Sequence, residues 1–154
     1  MPRGLLRPIL LATVVCGTLD ILAAVLLSTI FGRGPMAMLR GVASGPFPGA
    51  SQWGNGGSVL GLIVHFTLMA IMATVYMVAA GRYPGLRAKP IQWGVIYGLV
   101  TYVVMNLLVV PLRFGNFPPS PRAIATQLFC HIVLVGIPMA LIAARHLGRR
   151  SAFA

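Results

Sequence analysis

Apolar residues fill four long stretches of the chain, and polar segments with glycine or proline separate them. The stretches run over roughly residues 8–31, 58–80, 90–112 and 124–144. A helix needs about 20 consecutive apolar residues to cross the hydrocarbon layer of a bilayer, and each stretch meets that length. The pattern therefore predicts an all-α, polytopic membrane protein, with four transmembrane helices in a single domain spanning residues 1–154.

The ends of these stretches carry helix signals. Pro8 and Pro90 each fit the first turn of a helix, where the missing N–H costs nothing. A long segment rich in Gly, Pro and Ser separates the first two stretches and is too long for a tight helical hairpin. Within it, residues 36–42 predict a short amphipathic helix at the membrane interface. Pro138 predicts a kink that frees a carbonyl near Leu134.

Composition agrees with a membrane location. The chain is 58% hydrophobic and 8% charged, whereas soluble domains carry about 25% charged residues. The formal net charge is +11, but the twelve basic residues lie between the apolar stretches and form no patch with aromatic residues. We therefore expect lipid headgroups, and no nucleic acid, as their partners.

The distribution of basic residues predicts the orientation. One side of the bundle carries eight of them and the other four. The positive-inside rule places the richer side in the cytoplasm, so both termini are predicted to be inside and the long Gly/Pro-rich loop outside. The eight are Arg3, Arg7, Arg82, Arg87, Lys89, Arg145, Arg149 and Arg150, and the four are Arg33, Arg40, Arg113 and Arg122.

Asp20 is the only acidic residue and lies within the first apolar stretch. Inserting a carboxylate there costs about 2.5–3.5 kcal/mol, so it should face protein, water or a partner. With about 1.5 Å of rise per residue, depths come to roughly 16 Å for Asp20 and roughly 9–11 Å for His65, Asn106 and His131, and a shift of about three residues in the span ends changes a depth by about 5 Å. These depths overlap, which predicts an intramembrane polar cluster of Asp20, His65, Tyr102, Asn106, Gln127 and His131.

Small residues recur at helical spacing beside these polar positions. Such stripes let membrane helices approach closely and mark packing faces. The predicted packing glycines are Gly17, Gly57, Gly61, Gly94 and Gly98. The motif H-x-x-L-x-[AG]-I also occurs at both His65 and His131, a hint of two related hairpins.

Three functional interpretations follow from the cluster. The preferred one is a non-enzymatic accessory or scaffold subunit, in which the polar side chains hold the bundle together and other membrane subunits, or further copies of the chain, are partners. An alternative is a proton or cation pathway through Asp20, His65 and His131. A third is a b-type haem ligated by His65 and His131.

Catalytic and metal-site signals are absent from the sequence. It contains no G-x-S-x-G, H-E-x-x-H or P-loop motif and no pair of carboxylates. Cys16 and Cys130 lie singly within apolar stretches and are interpreted as small buried hydrophobes. We therefore predict no metal, no catalytic residue and no cofactor, apart from the haem alternative.

Several of these residues and segments together resemble a group of small four-helix bacterial inner-membrane proteins of unknown function. They are Gly17-Thr18-Leu19-Asp20, the Gly/Ser-rich first loop, His65, the segment Tyr102…Met105-Asn106, and the segment His131…Gly136-Ile137-Pro138. The resemblance covers nearly the whole chain. It implies a multi-pass protein of the bacterial inner (cytoplasmic) membrane and implies no activity.

Overall fold

Four long apolar helices make up most of the protein, as the hydrophobic pattern predicts. The computed structural model describes residues 4–115 and 117–148, and within these ranges it contains no β-strand. The four helices long and apolar enough to cross a membrane are α1 (Leu6–Ile30), α3 (Gly54–Arg82), α5 (Pro90–Phe114) and α6 (Pro121–Gly148). Each reaches past the predicted stretch at one or both ends, because backbone hydrogen bonding continues through polar residues that hydropathy leaves out.

Two shorter helices lie in the connections. Helix α2 (Pro35–Ala43) forms where the short amphipathic helix is predicted, and a 3₁₀ turn follows at Ala50–Gln52. Helix α4 (Gly85–Ala88) lies in the basic connection between α3 and α5.

Both α5 and α6 contain a wide π-helical segment just before a proline. The segments are Val103–Val109 in α5 and Cys130–Gly136 in α6, and Pro111 and Pro138 follow them. Proline lacks an N–H and leaves the carbonyl four residues earlier without its usual donor. The wider i→i+5 pattern redistributes the hydrogen bonds around that gap. The predicted disturbance before Pro138 therefore takes the form of a wide helical turn.

Helix α6 is the centre of the bundle. It packs against α1, α3 and α5, and α1 also packs along α3. The main helix contact of α5 is with α6. Burial follows this arrangement, since 39% of the most apolar window of α6 is buried and only 17% of that of α5. The side of α5 that faces away from α6 is thus left to lipid or to a partner.

The buried core lies where α1, α3 and α6 meet. Its largest fully buried side chains include Met77, Met139 and Val135, and alanines fill the space between the helices. Leu5, Leu86 and Leu147 close this core at the end of the bundle from which α1 begins and at which α6 ends.

Glycine backbones bring α5 and α6 into direct contact. A Cβ added to Gly98 would lie 2.5 Å from the His131 carbonyl oxygen and 2.6 Å from Ile132 Cα. A Cβ on Gly94 would lie 2.7 Å from Ile137 Cα, and one on Gly136 would collide with the Gly94 carbonyl oxygen. No side chain larger than hydrogen fits at these positions without separating the helices.

The other predicted packing glycines have different neighbours. Gly17 of α1 faces α3, where an added Cβ would lie 2.6 Å from Phe66 Cε1. Gly57 and Gly61 of α3 face the connecting segment and not another span, since their added Cβ atoms would meet the carbonyl oxygens of Ala50 and Leu39. The glycine face of α3 therefore receives α2 and the turn after it.

Polar contacts fix the long connection to the bundle. The Ser58 hydroxyl donates to the Met36 carbonyl oxygen at 3.1 Å. The Arg113 guanidinium, near the end of α5, donates to the carbonyl oxygens of Gly45 at 2.7 Å and Ser44 at 2.9 Å. The Gly/Pro-rich loop is therefore a packed cap over α3, tied to α5.

Basic residues lie at both ends of the described part of the bundle. Arg87 donates to the Leu147 carbonyl oxygen at 2.6 Å at one end, and the Arg122 guanidinium lies 5.1 Å from the centre of the Phe31 ring at the other. Arg3, Arg149 and Arg150 lie outside the described residues. Which end faces the cytoplasm stays a prediction.

The glycine contact predicts a large effect of Gly136→Ala on stability. The added methyl would collide with the Gly94 backbone, and overpacking of this kind costs about 1–3 kcal/mol. We expect a clearly lower midpoint of thermal unfolding in detergent. The matched control is Gly56→Ala, because nothing lies within 4 Å of a Cβ added there, and it should unfold at the wild-type temperature or slightly above. Equal stability of the two variants would contradict this packing.

Candidate functional site

The predicted polar cluster divides into two sets in the structure. Asp20 and His65 meet between α1 and α3, while Asn106 and His131 meet between α5 and α6. In the described part of the chain no side-chain hydrogen bond joins one set to the other. Each histidine therefore belongs to its own pair of helices.

His65 is held by the backbone of the preceding span. It is buried, and its Nε2 lies 2.9 Å from the Gly17 carbonyl oxygen. A carbonyl only accepts hydrogen bonds, so Nε2 carries the proton and donates it to this bond. The close approach of α1 and α3 at Gly17 brings that carbonyl within reach. The other ring nitrogen, Nδ1, then faces Asp20.

Asp20 faces His65 without a hydrogen bond between the two side chains. Its Oδ2 lies 3.9 Å from His65 Nδ1, which is too long for a hydrogen bond but short enough for an ion pair. Its side chain is 20% exposed. The Asp20–His65 pair can hold one proton on either member and stay neutral overall.

His131 lies within a directed chain of hydrogen bonds between α5 and α6. The Asn106 amide Nδ2 donates to His131 Nε2 at 3.1 Å. His131 Nδ1 therefore carries the proton and donates to Thr101 Oγ1 at 3.0 Å. The Thr101 hydroxyl in turn donates to the Gly98 carbonyl oxygen at 3.0 Å. The chain fixes one neutral tautomer of His131 and gives a partner to both of its ring nitrogens.

Thr101 is the site residue that sequence reasoning missed. It lies three residues after Gly98, on the predicted packing face of α5, and it is buried. Its position beside a packing glycine was the available signal, but hydroxyls in membrane helices usually bond their own backbone and draw less attention. Thr101 does so and also accepts from His131.

Tyr102 and Gln127 take different places from those expected of cluster members. The Tyr102 ring is buried and packs edge-on against the His131 ring, with centroids 6.1 Å apart. Gln127 is half-buried and, in the described part of the chain, its side chain shares no hydrogen bond with either histidine. Tyr102 therefore supports His131 by packing, whereas the structure does not join Gln127 to the cluster.

The ring nitrogens of the two histidines already have protein neighbours, which bears on ligand binding. His131 has partners at both nitrogens, and His65 has Gly17 at Nε2 and Asp20 facing Nδ1. Iron ligation by His131 would require its ring to release one hydrogen bond, whereas His65 Nδ1 has no hydrogen bond to release in the described part of the chain. Across the described residues there is no group of three or more His, Cys, Asp or Glu side chains that could hold a metal ion.

The two hairpins place a polar side chain against the same ring nitrogen of each histidine. In α1 and α3, Gly17 and Asp20 are three residues apart; the Gly17 carbonyl oxygen bonds His65 Nε2, and Asp20 faces Nδ1. In α5 and α6, Gly98 and Thr101 are also three residues apart; Thr101 bonds His131 Nδ1, but Gly98 lies against the backbone carbonyl of His131. The shared H-x-x-L-x-[AG]-I motif thus comes with a shared polar neighbour at Nδ1, whereas the glycine contacts differ.

The hydrogen-bond chain predicts the effect of Thr101→Val. The change keeps the volume but leaves the His131 Nδ1–H without its acceptor, and an unsatisfied buried donor costs about 1–3 kcal/mol. We expect a lower free energy of unfolding in detergent titrations. Thr67→Val is the matched control, because the exposed Thr67 hydroxyl bonds only the Ile63 carbonyl oxygen of its own helix. A loss of similar size in both variants would show that the His131 chain contributes little.

Comparison of the chain with protein-family models, with curated proteins and with solved structures found no match. The role of the protein is therefore inferred from the composition and geometry of the described residues. Four helices long and apolar enough to cross a bilayer indicate a multi-pass integral membrane protein.

Proposed function

We propose that the protein is a non-enzymatic accessory or scaffold subunit of a larger membrane assembly. The observation that carries this proposal is the exposure of α5, which rests mainly on α6 and has the least buried apolar window of the four spans. Its far side presents a continuous apolar face of Ile96, Leu99, Val100 and Val103, all exposed. A neighbouring membrane helix could pack along this face.

The use of the polar side chains supports the same proposal. The His131 ring is hydrogen-bonded to Thr101 and Asn106, and the His65 ring is hydrogen-bonded to the backbone of α1. Groups engaged in this way position helices and are poorly placed to bind a substrate. Polar contacts between membrane helices contribute about 0.6 kcal/mol each on average, which is enough to define helix register.

The subunit proposal predicts a loss of partners in Leu99→Trp. An indole at this position would obstruct a helix packed on the α5 face but would be tolerated by lipid. We expect the wild-type protein, purified from source membranes in a mild detergent, to carry a stoichiometric membrane partner, and the variant to lose most of it. Leu26→Trp, at an exposed position of α1, should keep the partner. A wild-type protein that elutes alone, or a variant that retains the partner fully, would count against the proposal.

A second candidate function is a proton or cation pathway. It is favoured by the 3.9 Å distance between Asp20 and His65 together with the partial exposure of the carboxyl group. Intramembrane carboxylates and histidines are typical of such pathways. In this candidate the exchangeable proton resides on the Asp20–His65 pair, while His131 contributes only if its hydrogen-bond chain opens.

The pathway candidate predicts that Asp20→Asn abolishes proton uptake by liposomes containing the protein. Uptake would be driven by a potassium diffusion potential and followed with an internal pH-sensitive dye. Thr13→Val, on the same helix and with its hydroxyl bonded to Ile9 of that helix, should transport at the wild-type rate. If liposomes containing the wild-type protein take up protons no faster than empty liposomes, the candidate is eliminated. His131→Gln tests whether the second histidine takes part.

The haem alternative stays a prediction and is checked on the same purified sample. A bis-histidine haem would give a strong absorption band near the blue edge of the visible spectrum, and His65→Ala or His131→Ala would remove it.

A further inference from the structure

A cleft between α3 and α5 lies near the end of the bundle where α1 begins and α6 ends. Its volume is about 190 Å³. Val75 and Ala79 of α3 form one wall, Trp93, Ile96 and Val100 of α5 form the other, and Leu86 of α4 lies at its end. The cleft exists because α5 packs mainly on α6 and leaves its contact with α3 to a few side chains.

Two tyrosines close the deep end of this α3–α5 cleft. The rings of Tyr76 and Tyr97 lie 4.8 Å apart and meet edge to face. The Tyr97 hydroxyl donates to the Met72 carbonyl oxygen at 2.8 Å, which links the two helices. The Tyr76 side chain is only 2% exposed, and its hydroxyl has no hydrogen-bond partner in the described part of the chain. Because this hydroxyl has no accessible surface, the tyrosine pair closes the cleft without offering a polar contact to an occupant.

The α3–α5 cleft is open on its long side. Val75, Ile96 and Val100 are all exposed, so an apolar chain can enter sideways from the hydrocarbon layer. Its lining presents no accessible polar surface. An acyl chain matches these walls, whereas a polar solute does not.

Basic side chains stand at the mouth of the cleft. Arg82 follows the wall residue Ala79 by three positions, and Lys89 precedes the wall residue Trp93 by four. Each therefore lies about one helical turn beyond the wall on the same side of its helix. Both are exposed, and the chain's single acidic residue, Asp20, is on a different helix. The mouth thus offers positive charge to an anionic group at headgroup depth.

We propose that the α3–α5 cleft is a binding site for one anionic phospholipid. An acyl chain fills the cleft, and the phosphate lies between Arg82 and Lys89. The two parts of the lipid correspond to two independent features of the site: an apolar open-sided cleft and uncompensated positive charge at its mouth. The cleft shares Ile96 and Val100 with the α5 face of the proposed subunit role, so a bound lipid and a partner helix would adjoin each other there.

Native mass spectrometry of the full chain, with added phosphatidylglycerol or with phosphatidylcholine of the same acyl chains, tests the proposal. We expect one phosphatidylglycerol molecule to be retained and phosphatidylcholine to be lost at the same collision energy. Each basic residue near a membrane surface contributes about fivefold to binding an anionic lipid. Arg82→Gln and Lys89→Gln should each lower phosphatidylglycerol affinity by about that factor.

Three further variants distinguish a built site from general charge attraction. Arg145→Gln removes an exposed basic residue at the same end of the bundle, on α6, and should leave binding unchanged. Ala79→Leu fills the cleft and should abolish retention with all charges in place. Tyr76→Phe should leave retention unchanged because the hydroxyl is not accessible from the cleft, and without lipid it should melt at or above the wild-type temperature because that hydroxyl has no partner.

The opposite results would overturn the site. Equal retention of the two lipids would remove the role of the headgroup charge. An equal loss of phosphatidylglycerol affinity in Arg145→Gln would show that net charge alone accounts for the binding. Undiminished binding in Ala79→Leu, with unchanged thermal stability, would show that the lipid lies elsewhere.

Discussion

The close approach of helix backbones at glycine is the constraint on which the rest of this structure depends. Lipid tails are as apolar as leucine, so membrane helices gain little from burying apolar surface against one another and depend on tight packing and hydrogen bonds. Gly94, Gly98 and Gly136 bring α5 onto α6, and this contact carries α5 almost alone. The same approach places His131 within hydrogen-bonding reach of Thr101. Packing therefore comes first, and the polar contacts follow from it.

The π-helical segments extend this logic to the backbone. In the hydrocarbon layer a carbonyl freed by proline has no water to bond, so the helix itself must rearrange. Asn106 and His131 both lie inside the widened segments that precede Pro111 and Pro138. Their mutual hydrogen bond joins the two places where the helices depart from regular geometry. A polar pair at such a point stabilises the irregular backbone in both helices.

The sequence predicts the helices of this protein better than it predicts their neighbours. Length and hydropathy suffice for the four spans, because the bilayer sets the length of a crossing helix. The depths of Asp20, His65 and His131 overlap, yet depth does not define which helices adjoin, and the single expected cluster divides into two. For Gly57 and Gly61, too, the sequence does not identify the neighbouring element. Their spacing indicates a close neighbour, but it does not reveal that the neighbour is the loop helix α2. The role of Thr101 is hidden in the sequence because a hydroxyl in a membrane helix usually bonds its own backbone.

The two hairpins differ at the position of Asp20, which raises the question of why this residue is acidic. In the second hairpin the corresponding place, three residues after the glycine, holds Thr101, and its hydroxyl satisfies the histidine at 3.0 Å. Asp20 lies 3.9 Å from its histidine and forms no such hydrogen bond. A carboxylate costs about 2.5–3.5 kcal/mol to insert, far more than a hydroxyl would. If holding α1 against α3 were its sole role, a threonine would serve better at lower cost. Packing therefore explains His131 and its partners but does not explain Asp20, a partly exposed carboxyl group that lies beside His65 without a hydrogen bond to it.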